Sequence, residues 1–150
     1  MRAAWYEKQG PASEVLQLGN LPTPEPEQGE VRVKLSFSGV NPSDTKRRVG
    51  FGGQKMAYPV IVPHSDGSGV IDQVGTGVPK NRIGERVWIY CGQWERAHGT
   101  AADYISIRGN HAIPLPDNIE LMSGACLGIP AVTAHRALFS DGPIKGLTVL

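Results

Sequence analysis

Four glycines, Gly67, Gly69, Gly75 and Gly77, surround one short apolar strand in the segment Pro63–Val78, PHSDGSGVIDQVGTGV. The strand reads Val70–Val74, and a second starts after Gly84 in Arg82-Ile-Gly-Glu-Arg-Val87. Glycine adopts positive φ freely and lets backbones approach closely, so this spacing predicts strands that bend to close a small barrel. The 19 glycines and 12 prolines are spread along all 150 residues, which favours many short strands and tight turns over long helices.

A chain of this length buries a real core and holds one domain, with at most part of another. Its net charge of +1 gives no electrostatic footprint for nucleic acid or an acidic membrane. The N-terminus MRAAWYEKQG lacks the apolar run of a signal peptide, and no later stretch is long and apolar enough to span a bilayer. Two cysteines, Cys91 and Cys126, offer neither a disulfide framework nor a Cys-x-x-Cys metal knuckle. The expected setting is therefore cytoplasmic and reduced.

Arg2–Glu7 and Val15–Gly19 read as strands separated by Gly10-Pro11, and Leu21-Pro-Thr-Pro-Glu-Pro26 is a surface connection. Glu30–Ser38 alternates with period two: Val31, Val33, Leu35 and Phe37 face one way, Arg32, Lys34, Ser36 and Ser38 the other. Val60–Val62, Arg86–Tyr90 and Ala102–Ile107 supply further strands. From Glu120 the texture turns helical, with Leu127, Ala131, Ala134 and Leu138 on one face and a helix starting at Pro130 and running to Phe139. Lys145-Gly-Leu-Thr-Val-Leu150 reads as the start of a buried strand.

Asn41-Pro42-Ser43-Asp44 is a helix start: Asn41 suits the cap, Pro42 the first helical position, and Asp44 the positive end of the dipole. A carboxamide there can also donate to and accept from a cofactor amide or a substrate carbonyl. The two roles are compatible. Thr133 has the same ambiguity, since a helical threonine can bond back to its own backbone or face a ligand.

These motifs resemble the catalytic domain of medium-chain dehydrogenases/reductases, specifically its zinc-free, zeta-crystallin-like quinone reductases. Asn41-x-x-Asp44-Thr45-x-x-Arg48-x-Gly50 is similar to the family stretch that borders the nicotinamide and the substrate cleft, and Pro130-Ala-Val-Thr133-Ala134 to the segment whose threonine approaches the nicotinamide. One departure is Lys46, where the family often has tyrosine. Zinc-containing members carry a cysteine at the position of Asn41 and a histidine at that of Ser65, within His64-Ser65-Asp66. The resemblance thus implies no metal, with His64 one residue off the zinc register and pointing away. The four closely spaced cysteines of a structural zinc lobe are also missing between Tyr90 and Tyr104.

The resemblance implies a mainly β fold: a GroES-like, partly open barrel over residues 1–118, then a helical connector over 119–150. The connector leads into the first strand of a nucleotide-binding domain whose phosphate loop would follow. The implied function is the catalytic half of an NADPH-dependent, metal-free oxidoreductase, with NADH also possible, that reduces quinones or activated enones by hydride transfer. Asn41 and Thr133 are its candidate catalytic donors, and Asn41, Asp44, Thr45, Arg48 and Thr133 its candidate cofactor contacts. The complete protein is expected to be a homodimer, and this chain alone inactive. A zinc-type alcohol dehydrogenase relative, an enoyl reductase and a non-catalytic binding or structural member remain alternatives. Trp88, Tyr90 and Trp94 are candidates for an aromatic cleft or for barrel core, and Cys126 is expected in the core.

Overall fold

The computed structural model describes residues 1–148. Its strands are β1 (Arg2–Trp5), β2 (Gln17–Asn20), β3 (Glu30–Gly39), β4 (Asp66–Val74), β5 (Arg86–Ile89), β6 (Tyr104–Arg108) and β7 (Ala112–Pro114). The helices are α1 (Ala12–Val15), α2 (Pro42–Val49), α3 (Leu121–Gly124) and α4 (Val132–Phe139). β1 and β2 form a hairpin; the other strands make one antiparallel sheet in the order β6-β3-β4-β5-β7. The sheet curls as a half-barrel around Val31, Val33, Ile71, Val87, Ile89, Ile105 and Ile107, all essentially without solvent contact. This is the mainly β architecture that the glycine spacing predicts, with the GroES-like form that the family resemblance implies. No helix of the described residues is long and apolar enough to cross a membrane.

Two bulges modify the expected alternation. Along the β3–β4 ladder Val33 pairs with Ile71, leaving Asp72 as an extra residue on β4, and Phe37 pairs with Ser68 directly after Leu35 with Gly69. Asp72 is placed to receive Arg32 at 3.0 Å. The extra residue Ser36 resets the parity of β3, so Phe37 is exposed instead of continuing the core row. Gly69 is required by close approach: a Cβ there would lie 2.0 Å from the Lys34 carbonyl oxygen.

The expected strand at Val15–Gly19 starts later, because residues 12–15 form one helical turn that buries Val15 with Tyr6 and Ile61. Towards the C-terminus, Pro130 sits inside a wide π-type turn, Leu127–Ala131, and the regular helix begins at Val132. A proline cannot donate to the helical ladder, which accounts for the widened turn. α4 is exposed along its whole length, so Ala134 and Leu138 lie open to solvent together with Ala131, while Leu127 on the same face is half-buried. Cys126 is likewise exposed and not in the core, because Gly124 and Ala125 take the inward positions of that turn. The terminal strand expected at Lys145–Leu150 falls partly outside the described residues; within them Lys145 and Gly146 form a turn.

Candidate active site

The site is built where β3 ends, α2 begins and β4 starts. Asn41 caps α2 in an extended conformation, with Pro42 in the first turn and the left-handed Gly50 closing the helix. The Asn41 backbone N–H donates to Asp44 Oδ2 at 2.8 Å, the carboxylate half of a capping box. Its side chain turns elsewhere: Asn41 Nδ2 donates to Asp66 Oδ2 at 2.9 Å. Asp66 Oδ1 in turn accepts the Ile129 N–H at 2.8 Å. One buried carboxylate therefore ties the start of β4 to the start of α2 and to the turn before α4. Gly128 makes this possible, since a Cβ at that position would lie 2.2 Å from Asp66 Oδ1.

Asp44 is 4% exposed, and its Oδ1 is a buried oxygen with no hydrogen-bond partner among the described residues. Burial pushes its carboxyl above the ordinary aspartate range; the Asn41 N–H, His64 and Arg47 oppose this, and Asp66 adds to it. His64 is shifted down by burial, against the pull of Asp44 and Asp66.

A directional chain of hydroxyls fixes the His64 tautomer. Thr100 Oγ1 donates to the Asp66 carbonyl, and a carbonyl can only accept. The Ser38 hydroxyl, 2.9 Å from Thr100 Oγ1, must then donate to it. Ser38 Oγ consequently accepts from His64 Nδ1, also 2.9 Å away. Neutral His64 carries its proton on Nδ1 and leaves Nε2 as an acceptor. The expectation that His64 points away assumed a regular strand; here its φ is 78°, in the left-handed region, ahead of the first residue of β4.

Residues 27–117 match the alcohol dehydrogenase GroES-like domain family. The chain belongs to this family. It is 38% identical over 135 residues to a quinone oxidoreductase of Rattus norvegicus, covering 89% of this chain and 39% of that protein. Among solved structures it resembles an NAD-dependent alcohol dehydrogenase with a TM-score of 0.81 at 32% identity, covering 94% of this chain and 47% of that one. It also resembles a mycobacterial protein complexed with NADPH, with a TM-score of 0.79 at 26% identity, covering 96% and 42%. The chain thus spans about two fifths of the length of the curated relatives it matches.

The GroES-like domain distributes the expected site residues unevenly. Asn41 and Asp44 come together with Asp66. Thr45 donates to the Pro42 carbonyl at 2.9 Å on an exposed face of α2. Arg48 is committed to the Gly10 carbonyl at 2.6 Å and so pins α2 to the N-terminal loop. Thr133 lies on exposed α4, and no hydrogen bond joins it to Asn41 or Asp66 among the described residues. Ser65 is buried at 4% exposure. No group of three or more His, Cys, Asp or Glu side chains that could hold a metal occurs among the described residues.

Of the aromatic trio, Trp88 and Tyr90 pack edge to face at 6.4 Å, while Trp94 stands apart and 62% exposed. Sequence reasoning gave no role to Asp66, Ser38 or Thr100. An aspartate directly after His64 and Ser65, at the start of an apolar strand, was the available signal for Asp66, because a carboxylate buried there needs donors.

Proposed function

We propose that this chain is the catalytic-domain portion of an NADPH-dependent oxidoreductase that reduces quinones or activated enones without a metal. The observation that carries this reading is the buried Asn41–Asp66 pair. Asn41 stands where zinc-containing relatives of this fold carry a metal-binding cysteine, and its side chain is bonded to a carboxylate instead. The 38% identity to a quinone oxidoreductase supports the substrate class, and the likeness to an NADPH complex supports the cofactor.

The residues present fit a nicotinamide in part. Asn41 keeps a second amide proton and its carbonyl lone pairs beyond the bond to Asp66, so it can pair with a carboxamide or a carbonyl. Thr45 and Thr133 present hydroxyls on exposed helix faces. Arg48, occupied by Gly10, is better suited to holding α2 in place than to binding phosphate. A reduced nicotinamide, when bound, supplies the hydride.

The role of this chain's residues is electrostatic. Charge develops on the acceptor oxygen as the hydride arrives, and pre-oriented donors stabilise it without reorganisation. Asn41 is held by two fixed bonds, one through its backbone and one through its side chain, and so meets the condition of being pre-oriented. A quinone is already a strong electrophile and needs less polarisation than a simple ketone, which suits a site that uses hydrogen bonds alone.

The test is quinone-dependent NADPH oxidation by the complete gene product, purified without chelator and assayed for metals. Turnover with substoichiometric zinc supports the reading. Stoichiometric zinc, or NADPH oxidation with alcohols' carbonyl counterparts but not with quinones, assigns the protein to the alcohol dehydrogenase branch instead.

A further inference from the structure

A cavity of about 470 Å³ lies on the other flank of α2, between the segments around residues 54–58 and 93–96. None of Asn41, Asp66, His64 and Thr133 lines it. Its floor is the ring of Tyr6, 1% exposed, and its walls include Met56, Tyr58 and the indole of Trp94. The walls are held in place by hydrogen bonds: Tyr58 donates to the Glu95 carbonyl at 2.6 Å, and buried Gln93 donates to the Val62 carbonyl at 3.2 Å. The volume falls in the range of small-molecule sites, and aromatic walls favour a flat guest.

The charges at this cavity are unbalanced. Arg47, Lys55 and Arg96 line it against one acid, Glu95. Arg96 is engaged by Glu30 at 3.4 Å and by the Ser106 carbonyl. Arg47 reaches a neutral partner, Gln93 Oε1, at 3.3 Å. Neither Arg47 nor Lys55 forms an ion pair among the described residues. An excess of positive charge, with two cations outside ion-pair contact, beside an apolar, aromatic-walled cavity calls for a guest that is both flat and anionic.

We propose that this cavity binds a planar aromatic molecule carrying a negative charge, such as an aromatic sulfonate or carboxylate. The inference stands on the cavity and its charges and does not depend on the hydride-transfer reading.

The test is NMR titration of this chain with 2-naphthalenesulfonate and with the neutral 2-naphthalenemethanol, following the Trp94 indole N–H and the Met56 methyl. Saturable shifts at both groups are expected, with the sulfonate binding about tenfold tighter at low salt. The double substitution Arg47→Gln with Lys55→Gln should remove that preference while leaving binding of the neutral alcohol unchanged. Met56→Trp, in a protein whose spectrum remains dispersed, should fill the cavity and abolish both. Equal affinity for the two probes overturns the proposal. So do shifts confined to the exposed apolar residues of α4, or a charge preference that survives the double substitution.

Discussion

Asn41 donates a carboxamide proton to Asp66 across 2.9 Å, and both side chains are almost entirely withdrawn from solvent. Because Asp66 also receives the Ile129 N–H, one carboxylate sets the relation between the cap of α2 and the turn that leads to α4. That geometry fixes the orientation of the Asn41 carboxamide.

Asp66→Ala should lower the unfolding free energy by about 3 kcal/mol, because two buried donors lose a charged acceptor. Asp66→Asn should lose about 1 kcal/mol, since the Asn41 amide can turn to present its oxygen to the new amide while the other oxygen still accepts from Ile129. Urea denaturation of both variants checks the order. Equal losses would show that the charge, not the bonding pattern, holds the junction.

Gly128→Ala should be destabilising despite favouring a helix. The new methyl would lie 2.2 Å from Asp66 Oδ1, so either the turn or the carboxylate must move. A loss of about 1–3 kcal/mol is expected for such overpacking. Hydrogen exchange should show the Ile129 amide losing protection before the sheet does. Unchanged protection at Ile129 would place the turn elsewhere in solution.

The barrel was legible in the sequence because alternation and glycine placement act locally. Val31 and Val33 fall in the core as their period requires, and Gly69 sits where strands approach closely. Phe37 escaped because the bulge at Ser36 depends on the partner strand, which periodicity does not reveal. The helix start was legible for the same local reason, with Pro42 and Asp44 in their predicted positions. The Asn41–Asp66 bond was not, since it joins residues 25 apart in sequence and depends on tertiary placement. Exposure of Cys126 was missed because its apolar neighbours Ala125 and Leu127 suggest core without showing which of the three positions turns inward.

The Ser38–His64 bond predicts a neutral His64 protonated on Nδ1 at neutral pH, visible in the nitrogen chemical shifts of its ring. It also predicts a pH effect of known sign. The folded His64 binds protons less readily than the unfolded chain, so as pH falls below the ordinary histidine value the unfolded state takes up more protons and stability drops. Asp44 acts oppositely: its raised pKa lowers stability as pH climbs through and above the ordinary aspartate value. His98 is shifted in the same direction as His64, by burial and then by Arg96, so it contributes to any raw profile. Replacing His64 with Asn isolates its share. The fall in melting temperature between pH 7 and 5 should become shallower in the variant. An identical profile in both proteins would mean that His64 is not buried as described.

The last prediction tests the donor roles proposed for Asn41 and Thr133 in the complete gene product. Asn41→Ala removes a side chain held by Asp66, whereas Thr133→Val changes an exposed hydroxyl that has no hydrogen-bond partner among the described residues. Asn41→Ala should therefore destabilise by about 2 kcal/mol, because the buried Asp66 carboxylate loses a donor, and Thr133→Val should leave stability unchanged. Kinetics then separate the roles. If either side chain stabilises charge developing on the acceptor oxygen, kcat for a quinone should fall by about tenfold to a thousandfold. If it holds the nicotinamide alone, the cofactor KM should rise while kcat stays near normal. Asp66→Asn provides the control: acting through Asn41, it should reproduce a weaker form of the Asn41→Ala kinetic effect and none of the Thr133→Val effect. Normal kinetics in Asn41→Ala, measured on the same samples as its melting curve, would reduce Asn41 to a helix cap and leave the proposed mechanism without its principal donor.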